Sequence, residues 1–91
     1  MKRIIRRKTY RDDLQAIAAY VAEDSPGAAA RLRLVIDDQV GKLADPNYPR
    51  RKGRVAGTKE LVVHENYVVI IVEDDTSVTA LNVVHTRRQF P

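Results

Sequence analysis

The chain has 91 residues, no cysteine and a formal net charge of +4, with 44% hydrophobic and 31% charged residues. This length accommodates one small domain, residues 1–91, with one core. The absence of cysteine excludes disulfides, thiolate zinc sites and cysteine nucleophiles. No apolar segment reaches the roughly 18 residues that span a bilayer, and the N-terminus lacks the apolar core of a signal peptide. We therefore predict a cytoplasmic protein.

The basic residues are unevenly distributed along the chain. Thirteen of the 16 fall in three clusters, within residues 2–11, 50–59 and 87–88. Each cluster alone is consistent with an ordinary solvated surface. Three clusters that folding brings together predict an acidic partner, which is either a nucleic acid or an acidic protein.

The first 23 residues are predicted to contain one strand and one helix. Residues 2–7 carry two isoleucines among basic residues, which favours a short strand at the side of a sheet. Thr9 followed by Asp12 imitates a capping box, so the first helix is predicted over residues 10–23. Its apolar positions recur at helical spacing: Tyr10, Leu14, Ile17 and Val21.

A second helix is predicted directly after the first. Ser25 can cap the free backbone N–H groups of a helix, and Pro26 suits the first helical position. The helix continues to Asp45 and Pro46, because a residue before proline disfavours helical geometry. Its predicted apolar stripe consists of Ala28, Leu32, Val35, Ile36, Val40 and Leu43. The two helices should form an antiparallel hairpin.

The C-terminal half is predicted to be a three-stranded antiparallel meander. Residues 46–57 contain prolines, glycines and basic residues without periodicity, which indicates an exposed basic loop. Strands are then predicted over residues 60–64, 67–73 and 77–85. Residues 68–72 are all apolar, so this strand should be central and covered on both faces. The predicted fold is α+β, in the order β-α-α-β-β-β, with the helical hairpin packed on an antiparallel sheet.

The candidate chemical groups lie at the ends of the meander strands. His64 and His85 each terminate a strand beside basic residues and could serve as acid or base, although packing or hydrogen bonding is the commoner role for a histidine there. Two histidines without cysteine, and without a carboxylate at ligand spacing, make a poor metal site, and we predict no metal and no cofactor. Arg87 and Arg88 could hold phosphate oxygens. The same arginines could instead bind an acidic segment of another protein.

Other polar residues are given structural or peripheral roles. Four aspartates are interpreted as solvent-facing helix residues rather than a magnesium site: Asp12, Asp13, Asp37 and Asp38. Tyr48, in the basic loop, could stack on a nucleic-acid base. Tyr10 and Tyr67 are interpreted as core residues.

Three segments carry a resemblance to a known family: GTKELVV, NYVVIIVEDD and the closing VVHTRRQFP. With the helical YRDDLQAIAAYVAEDSPGAAARL and the β-α-α-β-β-β order, the chain resembles the RelE/ParE family of bacterial type II toxins over nearly its whole length. This resemblance implies a cognate acidic antitoxin in a hetero-oligomer. It also implies one of two targets, since RelE-like members cut mRNA in the ribosomal A site whereas ParE-like members inhibit DNA gyrase and are not nucleases.

The resemblance also identifies candidate site residues. The catalytic candidates are His85, Arg87, Arg88 and His64, and the candidates for binding RNA phosphates are Arg54, Lys59, Arg51 and Lys52. The chain departs from the nuclease pattern in several places. Glu60, Leu61 and Val62 follow Lys59 where a pair of lysines is expected. Val68 stands in place of an arginine, and Phe90 stands where a proton donor is usual.

These observations leave three hypotheses. On the His-Thr-Arg-Arg segment we favour ribosome-dependent mRNA cleavage, with basic residues on the phosphate. The alternative is a non-enzymatic gyrase inhibitor that acts through its helical hairpin or tail. A third possibility is a degenerate relative that binds its antitoxin and has no target.

Overall fold

The computed structural model describes residues 1–87, in which two helices pack on one face of a five-stranded sheet. The elements in chain order are β1 Arg3–Arg6, α1 Lys8–Ala22, α2 Pro26–Lys42, β2 Arg51–Lys52, β3 Lys59–His64, β4 Tyr67–Glu73 and β5 Ser77–His85. The predicted α+β class and element order are confirmed, with the two-residue β2 as an addition within the predicted loop. Neither of the described helices is long and apolar enough to cross a membrane.

The strands lie in the order β1-β5-β4-β3-β2. The predicted meander is confirmed, because β3, β4 and β5 pair antiparallel and β4 is central. The sheet as a whole is mixed, since β1 runs parallel to β5 with Ile4 opposite Val78. A parallel neighbour requires a long crossover connection, and in this chain the crossover includes both helices.

The two helices begin in different ways. At α2 the Ser25 hydroxyl accepts a hydrogen bond from the Ala28 N–H at 3.2 Å, and Pro26 is the first helical residue, as predicted. At α1 the predicted capping box is wrong. Thr9 already lies inside the helix, and its hydroxyl donates to the Leu81 carbonyl of β5 instead. The Thr9 hydroxyl therefore makes a tertiary hydrogen bond to β5 instead of capping the helix.

The core lies between the helices and the sheet. Tyr10, Leu14, Ile36 and Val40 pack from the helices against the inner faces of β3, β4 and β5. On the opposite face of the sheet, Val68, Ile70 and Val84 form a second buried cluster, so β4 is covered on both faces as predicted. The prediction for α2 is wrong at one position of its stripe. Val35 is 49% exposed, whereas Ala29 is buried.

Two aspartates join the helices to the sheet, which corrects the prediction that they face solvent. The Asp13 carboxylate of α1 accepts hydrogen bonds from the Val83 N–H at 3.0 Å and from the Asn82 amide at 3.1 Å. Asp37 of α2 accepts from Arg6 Nε and from the Tyr10 hydroxyl, both at 2.8 Å. Because each carboxylate bridges separate elements, both stabilise the packing of the hairpin on the sheet.

Candidate functional site

A buried carboxylate organises the basic loop. Glu60, at the start of β3, is 1% exposed, and its Oε1 accepts hydrogen bonds from Arg51 Nε at 3.1 Å and Nη2 at 2.9 Å. Its Oε2 accepts a hydrogen bond from the backbone N–H of Arg54 at 3.1 Å and lies 3.5 Å from the Arg54 side-chain Nε. Charged groups are rarely fully buried unless they are paired. Glu60 therefore draws two of the predicted phosphate-binding arginines onto the sheet.

Close backbone packing makes this arrangement possible. Gly53 donates its N–H to the Thr58 carbonyl at 2.9 Å, which closes the connection between β2 and β3. A Cβ atom at Gly53 would lie 2.2 Å from the Thr58 hydroxyl oxygen. A side chain at this position would thus force apart the turn that aims the Arg54 N–H at Glu60.

A second buried carboxylate lies at the end of β4. Glu73 Oε2 accepts hydrogen bonds from Lys2 at 3.0 Å and from Arg50 at 2.8 Å, and its Oε1 accepts from Lys59 at 2.8 Å. The side chains of Arg50 and Glu73 are only 6% and 7% exposed. Arg50 also donates to the carbonyls of Leu43 and Asp45, so the same guanidinium binds carbonyl groups that follow the last turn of α2.

The electrostatics of both carboxylates favour the ionised form. Burial by itself raises the pKa of Glu73, but hydrogen bonds from Lys59 and Lys2 and the charge of Arg50 outweigh it and lower the pKa to about 2. Burial likewise opposes ionisation of Glu60, whereas the hydrogen bonds from Arg54 and Arg51 bring its pKa below the usual value. Both cation clusters are therefore neutralised in part by a permanent negative charge.

The two histidines lie together at the other end of the sheet. The ring centroid of Tyr67 is 5.7 Å from that of His64 and 5.4 Å from that of His85, with the second pair edge to face. His64 Nδ1 accepts a hydrogen bond from the Asn66 N–H at 3.0 Å, and His85 Nδ1 accepts from the Arg87 N–H at 3.1 Å. A neutral imidazole with Nδ1 as acceptor carries its proton on Nε2. In its neutral form each ring therefore has its donor at Nε2.

An open groove of about 600 Å³ has Tyr67 and His85 among its lining residues. Its apolar lining includes Ala16, Ile17 and Val21 of α1 together with Tyr67 and Val83 of the sheet. Tyr20 stands at its side and is 72% exposed. The groove has a mainly apolar lining that includes one histidine, which suits contact with a protein side chain as well as with a base.

The sequence-predicted site residues are divided between these two ends. His64 and His85 are brought together, and exposed Arg87 lies beside them. Arg88 lies outside the described residues. The predicted phosphate-binding residues lie at the carboxylate end, where Arg51, Arg54 and Lys59 are ion-paired and Lys52 is exposed. Lys59 and His64 stand at opposite ends of β3, about 17 Å apart at about 3.3 Å of rise per residue.

Sequence reasoning missed the carboxylates that organise the site. From the sequence, Glu60 is only a replacement for a lysine, and Glu73 is only the last residue of a predicted strand. A signal was available for Glu60, because a polar residue beside a run of apolar strand residues and next to a basic loop favours an ion pair. The base-stacking role of Tyr48 stays a prediction; the structure places Tyr48 partly buried against the core, with its hydroxyl 3.4 Å from the Gln39 Oε1.

Comparisons with solved structures support the fold. The chain superimposes with a TM-score of 0.80 on a chain of the chromosomal ParDE TA system from P. aeruginosa, at 21% identity, covering 93% of this chain and 96% of that one. The conserved hypothetical protein HP0894 from Helicobacter pylori gives a TM-score of 0.61 at 14% identity, covering 99% and 100% of the two chains. At such identities the likeness concerns the fold.

Sequence comparisons address the family. A curated protein of Sinorhizobium fredii, named "Putative toxin Y4kP", is 36% identical over 78 residues, which cover 86% of this chain and 81% of that protein. The family model described as ParE toxin of type II toxin-antitoxin system, parDE, matches residues 4–90. The predicted RelE/ParE resemblance is thereby confirmed, and family membership implies a cognate antitoxin. The chain belongs to the ParE toxin family of ParDE-type toxin-antitoxin systems.

Proposed function

We propose that this toxin is a non-enzymatic inhibitor of DNA gyrase, the second of the two activities that the resemblance implies. The observation that supports it is the division of the candidate residues between the two ends of the sheet. Cleavage of RNA requires a base, an acid and a charge clamp around one phosphate. Here His64, which lies beside His85, is about 17 Å along β3 from the clamp candidate Lys59, and Arg87 is the one cation candidate that the described residues place at the histidine end.

The state of the cations also supports the proposal. Arg51 and Arg54 are bound to Glu60, and Lys59 is bound to Glu73. Moving any of them onto a phosphate would leave a buried carboxylate with fewer partners, which is costly. These three cations therefore stabilise the fold, and among the candidate cations in residues 1–87 only Lys52 and Arg87 are exposed without an ion pair.

The histidines contribute a further argument. Both accept a backbone hydrogen bond at Nδ1, so a neutral ring at either position carries its proton on Nε2. A general base needs an unprotonated nitrogen facing the substrate hydroxyl. In this tautomer His64 and His85 can donate a proton from Nε2. Either can accept a proton from a substrate only after the hydrogen bond between its Nδ1 and the backbone N–H breaks.

The test compares the two activities on one preparation of the toxin. The toxin is titrated into a supercoiling reaction with purified gyrase and relaxed plasmid, and in parallel into a cell-free translation reaction read by primer extension. We expect loss of supercoiling and intact mRNA. Ribosome-dependent cuts with unaffected supercoiling would overturn the proposal, and inactivity in both assays would favour the degenerate relative.

A variant sharpens the same experiment. Replacing His85 and Arg87 together by alanine removes an acid–base candidate and the exposed arginine beside it. An inhibitor that contacts gyrase through its helical hairpin should retain its inhibition within about twofold, whereas a nuclease should lose its RNA cleavage by 10²-fold or more, the usual order for loss of general acid–base catalysis. The matched control is Arg3→Ala, an exposed arginine on β1.

A further inference from the structure

One edge of the sheet has a high density of positive charge that the proposed inhibition of gyrase does not use. We define the basic edge as residues 50–59, which comprise β2, the turn that follows it and the first residue of β3. These residues include five lysines and arginines and no acidic residue. Because β2 is the last strand of the sheet, their side chains are accessible to a ligand that approaches this edge.

The positive charge of the basic edge is only partly compensated. Arg51, Lys52 and Arg54 are all exposed. Glu60 forms ion pairs with Arg51 and Arg54, whereas Lys52 forms no ion pair within residues 1–87. Three positive charges thus share one carboxylate, which leaves a surplus of two positive charges beside the buried Glu60. A surplus of this kind attracts a polyanion.

The strand register places this charge on both faces of the edge strand. Arg51 lies opposite Glu60, and Lys52 lies opposite Lys59. Successive side chains of a strand point to opposite faces, so Arg51 and Lys52 project to different sides of the sheet. Like charges that lie directly opposite each other destabilise a sheet. Glu73 binds Lys59 at 2.8 Å and relieves part of this repulsion, and an anion bound at Lys52 would relieve the rest.

Contact with phosphate is compatible with the ion pairs that hold the fold. Arg51 donates to Glu60 through Nε and Nη2, which leaves its Nη1 group for another acceptor. The Arg51 side chain is 55% exposed and that of Arg54 is 41% exposed. Because Glu60 already fixes both side chains, they lose less conformational entropy when a ligand binds. The basic edge can therefore bind phosphate without releasing its buried carboxylate.

We propose that the basic edge binds the phosphate backbone of duplex DNA without sequence preference. None of the exposed large apolar side chains within residues 1–87 lies in residues 50–59, so this edge lacks the apolar anchors of a protein interface. Residues 50–59 also contain no aromatic residue. Binding of single-stranded nucleic acid relies on bases stacked on aromatic side chains. Contacts between lysines or arginines and phosphates are sufficient for non-specific binding of a duplex.

The first test measures binding of the unaltered toxin to a fluorescent DNA duplex of about 20 base pairs over a series of salt concentrations. We expect a Kd of about 10⁻⁴ to 10⁻⁶ M, the usual range for non-specific binding. The logarithm of the binding constant should fall with the logarithm of salt concentration with a slope of about −2.7, at about −0.9 for each of three neutralised phosphates. Absence of binding at low salt would overturn the proposal, as would tighter binding of single-stranded RNA of the same length.

Variants at Lys52 locate the binding surface without breaking an ion pair. Lys52→Gln should make the salt slope shallower by about 0.9, and Lys52→Glu should weaken binding at low salt by about tenfold. The matched controls are Arg3→Gln and Arg3→Glu, because Arg3 is an exposed cation on β1, the strand at the opposite edge of the sheet. Both controls should bind DNA within about twofold of the unaltered toxin. Equal losses at the two edges would show an effect of net charge alone and would overturn the proposal.

A measurement on the unaltered toxin avoids dependence on variants. When duplex DNA is added, the largest changes in backbone amide NMR shifts should fall within residues 51–59. Largest changes in α1 or α2 would contradict the inference. So would a Lys52→Glu variant that loses affinity for the antitoxin while its DNA binding stays the same. The inference does not rest on the proposed function, since binding is measured without gyrase and either can fail while the other stands.

Discussion

The two ends of the sheet hold their polar side chains in opposite ways. At the carboxylate end, Glu60 and Glu73 are buried, and each is bound by at least two cations. At the histidine end, His64 and His85 are half-buried on either side of Tyr67, and their only described hydrogen bonds are to backbone N–H groups two residues ahead. One end is a network of ion pairs between side chains, and the other is held by backbone hydrogen bonds and ring contacts.

This difference shows that a basic cluster in a sequence need not be only a binding surface. The cations around Glu60 and Glu73 come from the N-terminus, the loop and β3, and they hold those segments together. An ion pair that is buried and supported by several hydrogen bonds is strongly destabilising to break from one side. Removing a charge should therefore alter stability at the carboxylate end and have little effect at the histidine end.

The largest expected effect is that of Glu73→Gln. The pKa of Glu73 is about 2 in the folded protein against an ordinary value of 4.5. A lowered folded pKa contributes stability that is fully present above pH 4.5 and is lost as the pH falls toward 2. At neutral pH the variant should lose about 3 kcal/mol of unfolding free energy, at about 1.4 kcal/mol per pKa unit.

Urea denaturation at a series of pH values checks this expectation. The difference between the unaltered protein and Glu73→Gln should shrink as the pH falls from about 4.5 toward 2. Asp75→Asn serves as control, because Asp75 is an exposed acid in the next turn. A difference in unfolding free energy that stays constant with pH would contradict the role given to the Glu73 charge.

Glu60→Gln is expected to have the next largest effect, a loss of about 2 kcal/mol of unfolding free energy. Glutamine keeps one acceptor oxygen but loses the charge that binds Arg51 and Arg54, and hydrogen bonds to charged groups contribute about 1.5 to 3 kcal/mol. Amide hydrogen exchange should also become faster in the β2–β3 segment between Arg51 and Glu60. Glu65→Gln, in the exposed turn after β3, should change neither quantity.

His64→Ala should lower the unfolding free energy by about 1 kcal/mol or less. It removes one hydrogen bond from the Asn66 N–H and one tilted contact with Tyr67. His64→Asn should recover part of the loss, because an asparagine side chain can accept from the N–H two residues ahead. Thermal unfolding of the two variants measures the difference, and equal destabilisation would count against the hydrogen bond.

Arg87→Ala should have the smallest effect, within about 0.5 kcal/mol, as is usual for exposed residues. The same substitution at Arg50 should cost about 3 kcal/mol, because it leaves Glu73 and the carbonyls of Leu43 and Asp45 with fewer partners. Parallel urea titrations compare these two arginines directly. Similar losses for both would remove the distinction between the two ends.

The sequence by itself determined the elements and their order. The predicted ranges of β4 and β5 coincide with Tyr67–Glu73 and Ser77–His85, and the cap at Ser25 is confirmed. These features depend on residues close together in the chain, such as an apolar run, a turn or a cap with its proline. Local physical chemistry is enough to specify them.

Only the tertiary structure decided the partners of the charged side chains. Lys2 binds Glu73, 71 positions away, and Thr9 leaves its expected cap for a carbonyl on β5, 72 positions away. Such pairs depend on strand order and register, which bring distant residues to one end of the sheet. The same register separates Lys59 from His85, and so it divided a set of residues that the sequence had suggested as one site.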